Sequence, residues 1–231
     1  MHQERTVYIV NGSIPSWRVL IALNEKDLSF VTKRLFVMRS PRETKTPEFL
    51  ALNPRGQTPL LIEPDNTKIN ESLAILHYLE LRYPESSLLP PQKNWQEYAN
   101  AIAWIQEAET FACAYEPMEN LFLKKPSEMS NPEKEEIKNA LAAVIFDLNL
   151  WEKRAEKHTF IASDLFTLAD CSFYPVLAYL MRRGLILDPF PKLREYELRV
   201  RQRFSAQASR PEGWLYDKTS KTNLFRLAET L

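Results

Sequence analysis

Thr6-Val7-Tyr8-Ile9-Val10-Asn11-Gly12-Ser13-Ile14-Pro15-Ser16-Trp17-Arg18-Val19-Leu20 changes its apolar period once, and that change decides the fold. Thr6 to Val10 is a β-branched and aromatic run, the pattern of a buried strand. Asn11 to Pro15 breaks it with turn chemistry. From Ser16 to Lys26 the apolar residues Val19, Leu20 and Leu23 recur at helical spacing. Leu28 to Phe36 reads as a second strand and Pro47 to Leu52 as a short helix ended by Asn53-Pro54-Arg55-Gly56. Leu60–Ile62 and Thr67–Ile69 form a hairpin around Pro64-Asp65-Asn66, and Glu71 to Tyr83 is a helix. Two strands around a helix make a right-handed crossover and run parallel, whereas a short turn makes an antiparallel pair. The expected module is α+β: a mixed four-strand sheet in the order βαβαββα, with helices on its faces.

The rest of the chain has another character. Pro84, Pro90 and Pro91 mark a linker over 85–94 between a first domain, 1–84, and an all-helical domain, 95–231. Helical patterns cover Trp95–Tyr115, Pro132–Lys157, Leu168–Arg183 and Lys192–Phe204. Asn131 before Pro132 is a candidate N-cap. Thr167-Leu168-Ala169-Asp170 is a capping box, flanked by Phe166 and Cys171 as a hydrophobic staple, and Gly184 suits the C-terminal cap. Arg210 to Leu231 reads as an irregular cover.

Composition narrows the function. The 231 residues hold 30 Lys plus Arg and 30 Asp plus Glu, so the basic excess of a nucleic-acid binder is missing. Two cysteines, Cys113 and Cys171, are too few for a disulfide framework and fit a reducing, cytoplasmic compartment. No apolar run is long enough for a membrane span, and Met1-His2-Gln3-Glu4-Arg5 holds no apolar signal region. Four glycines leave no glycine-rich phosphate loop, and His2, His77 and His158 form no metal-ligand set.

Three short stretches carry chemistry. Ser13 and Ser16 stand before a helix N-terminus, where free N–H groups and the helix dipole stabilise an anion; either serine also suits a plain N-cap. Gln57-Thr58-Pro59 opens a strand. A cis Thr58–Pro59 bond turns the Thr58 N–H and C=O outward to pair with a peptide-shaped ligand, and an ordinary trans bond does not. Asn70-Glu71-Ser72 opens the next helix. There Ser72 and free N–H groups take a carboxylate and Glu71 takes an ammonium, or the pair is simply an acidic first turn.

The order and spacing of these stretches, with Asn53-Pro54-Arg55-Gly56-Gln57-Thr58-Pro59, Glu71-Ser72-Leu73-Ala74-Ile75 and Phe166-Thr167-Leu168-Ala169-Asp170, resemble the soluble glutathione transferases over nearly the whole chain. Within them the chain is most similar to the rho class of aquatic animals, through Pro15 to Leu23, Leu150-Trp151-Glu152 and Ala178-Tyr179-Leu180 with Gly184-Leu185. The resemblance implies a thioredoxin-like first domain, glutathione as co-substrate, a hydrophobic electrophile as acceptor, and a homodimer. It places Ser13 at the hydroxyl that contacts the glutathione sulfur, Thr58 and the cis-proline Pro59 at the cysteinyl part, and Glu71 with Ser72 at the γ-glutamyl end, supported by Gln57. Thr44 stands where several relatives have a histidine for the glycine carboxylate, which leaves neighbouring Lys45 as the alternative. Tyr8, Pro15, Trp104, Phe111 and Tyr115 are the candidates for the acceptor pocket. Trp104, Phe111 and Tyr115 fit a helical core equally well, and Tyr8 stands at the wrong distance from Arg18 for a catalytic phenol.

The energetics of that chemistry close. A cysteine-like thiol has a pKa of about 8.5, and lowering it by about 2 units takes roughly 2.7 kcal/mol of preference for the anion. One hydrogen bond to a charged group supplies about 1.5–3 kcal/mol, and a helix N-terminus adds about 0.3–1 kcal/mol. Ser13 and its helix therefore suffice without a metal. Conjugation leads; a non-enzymatic carrier of apolar ligands and a glutathione-dependent isomerase or peroxidase are the alternatives.

Overall fold

The computed structural model describes residues 4–38, 40–214 and 222–231; Met1–Gln3 of the N-terminus and part of the predicted tail lie outside them. Packing divides the chain into two units, one up to Leu89 together with Gln202–Glu212, the other Pro90–Arg201 with Gly213–Leu231.

In the first unit the sequence order becomes β1 (Thr6–Ile9), α1 (Ile14–Glu25), β2 (Val31–Arg34), α2 (Pro47–Leu50), β3 (Leu60–Ile62), β4 (Lys68–Asn70) and α3 (Ser72–Arg82). The sheet order is β2-β1-β3-β4, with β1 parallel to β2 and antiparallel to β3, and β3 antiparallel to β4. This is the mixed four-strand sheet expected. β3 is a central strand of three buried apolar residues, so both its faces are covered. β2 is an edge strand and all four of its residues are exposed. Lys33 and Arg34 on it suit an edge, where charge discourages pairing with another chain. α1 buries Val19, Ile21 and Leu23, and α3 buries Ile75, Leu76 and Leu79; the two helices pack together. Tyr8, Phe49, Leu60 and Ile62 form a smaller cluster under α2.

The start of the predicted linker is bound to this unit. Lys26 Nζ, with no exposed side-chain surface, donates to the carbonyls of Tyr83 and Ser86 and stands 2.7 Å from Glu80 Oε2. Glu80 in turn accepts from Ser87 Oγ and Leu88 N. Gln202–Glu212, assigned above to the helical domain, also packs with the first unit. Within it lies α8 (Phe204–Ala208), a helix separate from the predicted Lys192–Phe204. Arg203 makes a bidentate pair with Glu25 at 2.7 Å, and Trp17 Nε1 donates to Ser209 Oγ at 3.0 Å. No local pattern announces bonds across so much sequence.

The second unit holds α4 (Trp95–Tyr115), α5 (Asn131–Ala155), α6 (Leu168–Arg182), α7 (Pro191–Arg201) and α9 (Leu224–Glu229). α6 is buried along nearly its whole length and packs on α4. Trp151 stacks on Phe173 with ring centroids 4.1 Å apart, and Phe111 stacks on the same ring. The capping box is present: Asp170 accepts from Thr167 N, from the Thr167 hydroxyl and from Ile161 N. Burial raises the Asp170 pKa to about 6 against those stabilising bonds. Two expectations need correction. The cap of α5 is Ser130, not Asn131, because Glu133 at the third helical position returns its carboxylate to the Ser130 N–H. The tail contains α9, whose first amide, Leu224 N, donates to Arg183 O at 2.9 Å. That contact passes beside Gly184, where a Cβ would lie 2.1 Å from Asn223 Oδ1.

Candidate functional site

The sheet brings the three chemical stretches to one end. Tyr8 pairs with Leu60, and Leu60 with Asn70. Both neighbours of β3 run antiparallel to it. The turn leaving β1, the Thr58-Pro59 pair entering β3 and the Glu71-Ser72 pair leaving β4 therefore share that end. α1 and α3 both start there, so their positive dipole ends face the same region, and the first-turn N–H groups of α3 have no side-chain cap.

Each stretch is prepared locally. Gly12 has φ +80, which a side chain resists, and Ser13 N donates back to Val10 O at 3.2 Å. Ser13 is the N-cap of α1: its Oγ accepts from Ser16 N at 3.4 Å. That bond takes a lone pair and leaves the hydroxyl proton to donate elsewhere. Ser16 is buried, with its Oγ accepting from Val10 N.

The Thr58–Pro59 bond is cis. Among the described residues, neither the amide nor the carbonyl of Thr58 has a backbone partner. The loop before it is organised by buried Asn53. Its Nδ2 donates to Gln57 O at 2.8 Å, and its Oδ1 accepts from Arg55 N and from Asn70 Nδ2, both at 3.2 Å. Gly56 has φ +60, and a Cβ there would lie 2.6 Å from Thr44 O.

Glu71 sits at φ +66, a region that costs a non-glycine residue free energy and that clusters at ligand clamps. Its side chain makes no cap bond to α3, so the helix N-terminus is open beside Ser72. Its carboxylate is exposed, 3.9 Å from Arg55 Nε. Lys45 Nζ donates to Arg55 O at 2.9 Å. A cavity of about 240 Å³ within the first unit reaches Ser13, with Ile9, Trp17, Phe30, Arg34 and Pro211 also lining it.

The chain matches the family model for the glutathione S-transferase N-terminal domain over residues 13–82 and that for the C-terminal domain over 134–199. It is 30% identical to glutathione S-transferase A of Pleuronectes platessa, over 93% of this chain and 95% of that one. The chain belongs to the glutathione S-transferase family. It is also 30% identical to maleylacetoacetate isomerase of Dictyostelium discoideum, over 84% of this chain and 87% of the relative. A glutathione S-transferase from the Antarctic clam Laternula elliptica superposes with a TM-score of 0.82 at 29% identity, over 97% of this chain and all of the clam protein.

Set in this glutathione S-transferase fold, the remaining candidates separate. Ser13, Thr58, Pro59, Glu71 and Ser72 meet at the sheet end. Gln57 is exposed in the loop before Thr58, and Lys45 stands on that loop's other side. Pro15 lies half-buried in the first turn of α1. The Tyr8 hydroxyl accepts from Lys33 Nζ at 3.3 Å, and its ring lies against Phe49, in the cluster under α2. In the second unit Trp104, Phe111 and Tyr115 are all buried; Trp104 stands edge-on to Trp151 and Tyr115 edge-on to Tyr179. No local pattern in the sequence signals a role for Asn53 or Asn11. Asn53 was visible only as part of a motif, since its three bonds depend on how the chain folds back.

Proposed function

We propose that this glutathione S-transferase binds glutathione at the sheet end and conjugates its thiolate to hydrophobic electrophiles. The observation that carries the reading is the Ser13 hydroxyl at the start of α1, its oxygen already accepting from Ser16 N and its proton unassigned. That proton hydrogen-bonds the sulfur and, with the dipole of α1, favours S⁻ over S–H; the thiol proton leaves to solvent. The sulfur lone pair then forms a C–S bond to the electrophile as the leaving group departs with its electron pair. Ser13 is a donor here, not a nucleophile. The unpaired Thr58 backbone suits the cysteinyl part, the open α3 N-terminus suits the γ-glutamyl carboxylate, and Glu71 suits its ammonium. Lys45 is the candidate for the glycine carboxylate. The candidates for the acceptor are Tyr8 and Pro15 in the first unit and Trp104, Phe111 and Tyr115 in the second.

The test is turnover of glutathione with a halogenated nitroaromatic, parent against Ser13→Ala. A loss of about tenfold or more in kcat/KM is expected if one charge-assisted hydrogen bond is removed. Unchanged turnover removes Ser13 from this role.

Glutathione-dependent isomerisation is the second reading, favoured by the similarity to maleylacetoacetate isomerase. It uses the same thiolate, so assaying cis–trans isomerisation of maleylacetoacetate alongside conjugation ranks the two. Absence of glutathione binding by calorimetry, with tight binding of an apolar dye, points instead to a carrier. The proposal also includes the rho class, a cytoplasmic homodimer and a detoxifying role. Exposed Leu81 and Trp95 offer apolar surface for a second copy, and light scattering tests the dimer. No helix among the described residues is long and apolar enough to cross a membrane.

A further inference from the structure

Two residues before Ser13, the side chain of Asn11 clamps the backbone of Glu212. Its Nδ2 donates to Glu212 O at 3.1 Å and its Oδ1 accepts from Glu212 N at 2.9 Å. A carboxamide presents one donor face and one acceptor, which is what both peptide groups of a single residue require. Asp offers only acceptors at neutral pH, and an aliphatic side chain offers neither.

The segment carrying Glu212 is held independently. Arg203 pairs with Glu25, Trp17 Nε1 donates to Ser209 Oγ, and the Ser209 hydroxyl donates to Ser205 O. Arg34 pairs with the Glu212 carboxylate itself. Asn11 therefore grips a fixed point. On the other side of the clamp lies Gly12 at φ +80, a residue with no side chain to restrain the turn. The clamp stabilises the turn from which the Ser13 hydroxyl projects.

We infer that Asn11 is a positioning residue for Ser13: its clamp on Glu212 fixes the direction of the Ser13 hydroxyl and so the acidity of the bound glutathione thiol. This rests on the serine reading proposed above. A hydrogen bond weakens steeply when its angle departs from linear, so a loosened turn loses thiolate stabilisation. Glutathione affinity changes little, because the Thr58 and Glu71-Ser72 contacts lie on other loops.

The experiment titrates the ultraviolet thiolate band of bound glutathione against pH in the parent and in Ser13→Ala, Asn11→Ala, Asn11→Ser and Arg203→Ala, with KM, kcat and Tm for each. Asn11→Ser guards against a poorly folding alanine variant, since its hydroxyl is too short for both bonds. Expected for the two Asn11 variants are an apparent thiol pKa raised by about 0.5–1 unit and kcat near pH 6.5 lowered about 3–10-fold, with KM for glutathione within about twofold. Arg203→Ala lowers Tm and raises the thiol pKa less than either Asn11 variant does, because the Trp17–Ser209 bond and the Arg34–Glu212 pair still hold the segment. If Ser13→Ala raises the thiol pKa but neither Asn11 variant does, the positioning role is wrong and the serine reading stands. If Arg203→Ala raises it as much as Asn11→Ala, docking of the whole segment sets the acidity and the specific role of Asn11 is overturned. If Ser13→Ala itself leaves the acidity unchanged, the serine reading falls and this inference with it.

Discussion

Asn70 Nδ2 donates to Asn53 Oδ1 at 3.2 Å, joining the loop that leads to Thr58 to the residue that precedes Glu71. Two of the three stretches of the candidate site thus share one buried carboxamide. Asn53→Ala deletes three hydrogen bonds in a site with 2% exposure. It is expected to destabilise by about 2–3 kcal/mol and to weaken glutathione binding. Urea denaturation with calorimetry checks both; full glutathione affinity in a folded variant would detach Asn53 from the site.

The two serines of the first turn should part company. Ser16 is buried and its oxygen accepts from Val10 N, whereas Ser13 is half-buried with its proton unassigned. Ser16→Ala is expected to cost about 1 kcal/mol of stability and to leave the acidity of bound thiol as in the parent. Ser13→Ala removes the N-cap of α1 and should also cost about 1 kcal/mol of stability, but of the two variants it alone should raise the pKa of bound thiol. Thiolate titration paired with thermal melts separates them, and identical behaviour of the two variants would contradict the assignment.

At Gly56 both conformation and space forbid a side chain, with φ +60 and Thr44 O at 2.6 Å from a built Cβ. Gly56→Ala should cost about 2–3 kcal/mol, the left-handed penalty plus the clash. The added methyl also comes within 2.8 Å of Lys45 Nζ. If Lys45 serves the glycine carboxylate, KM for glutathione rises in the same variant. A chemical-denaturation midpoint equal to the parent's would show that the loop yields freely.

Lys26 and Glu80 form a buried pair with 0% and 10% side-chain exposure. Lys26→Met leaves the carboxylate without its cation and is expected to lose about 3–5 kcal/mol. Lys26→Met combined with Glu80→Gln removes both charges and should recover part of that loss. Denaturation of the four corners of this cycle measures the coupling; strictly additive losses would mean that the pair contributes nothing specific.

Burial raises Asp170 from 3.8 to about 6, opposed by the amides of Ile161 and Thr167 and the Thr167 hydroxyl. The folded state then holds its proton more tightly than the unfolded state. The stability from this group is present below pH 3.8 and lost as pH rises through about 6. Asp170→Asn cannot titrate, so the parent should lose more stability than the variant between pH 4.5 and 7.5. Urea midpoints at both pH values test the sign, and a parent that gains relative to the variant reverses it.

Legibility followed the range of the interactions. The span of α4, the strand and helix order of the first module and the Thr167–Asp170 box all rest on period or on contacts three residues apart, and these appear in the string. The Ser130 cap is equally local, as Ser130-x-x-Glu133, while Pro132 next to Asn131 offers a competing cap signal that the structure does not use. The cis geometry of Thr58–Pro59 was one of two open alternatives. α9 is six residues long, too short to stand alone in water, and it is ordered beside Gly184 and Arg183 by contacts some forty positions back.

What the sequence alone determined is the alternation of elements, and with it the meeting of Ser13, Thr58 and Glu71-Ser72. An antiparallel hairpin and a parallel crossover admit few other arrangements. What only the tertiary structure decided is which groups hold those residues still. Asn11 with Glu212, Arg203 with Glu25 and Asn53 with Asn70 pair across separations that no local periodicity encodes, because a hydrogen bond depends on position in space and not on distance along the chain.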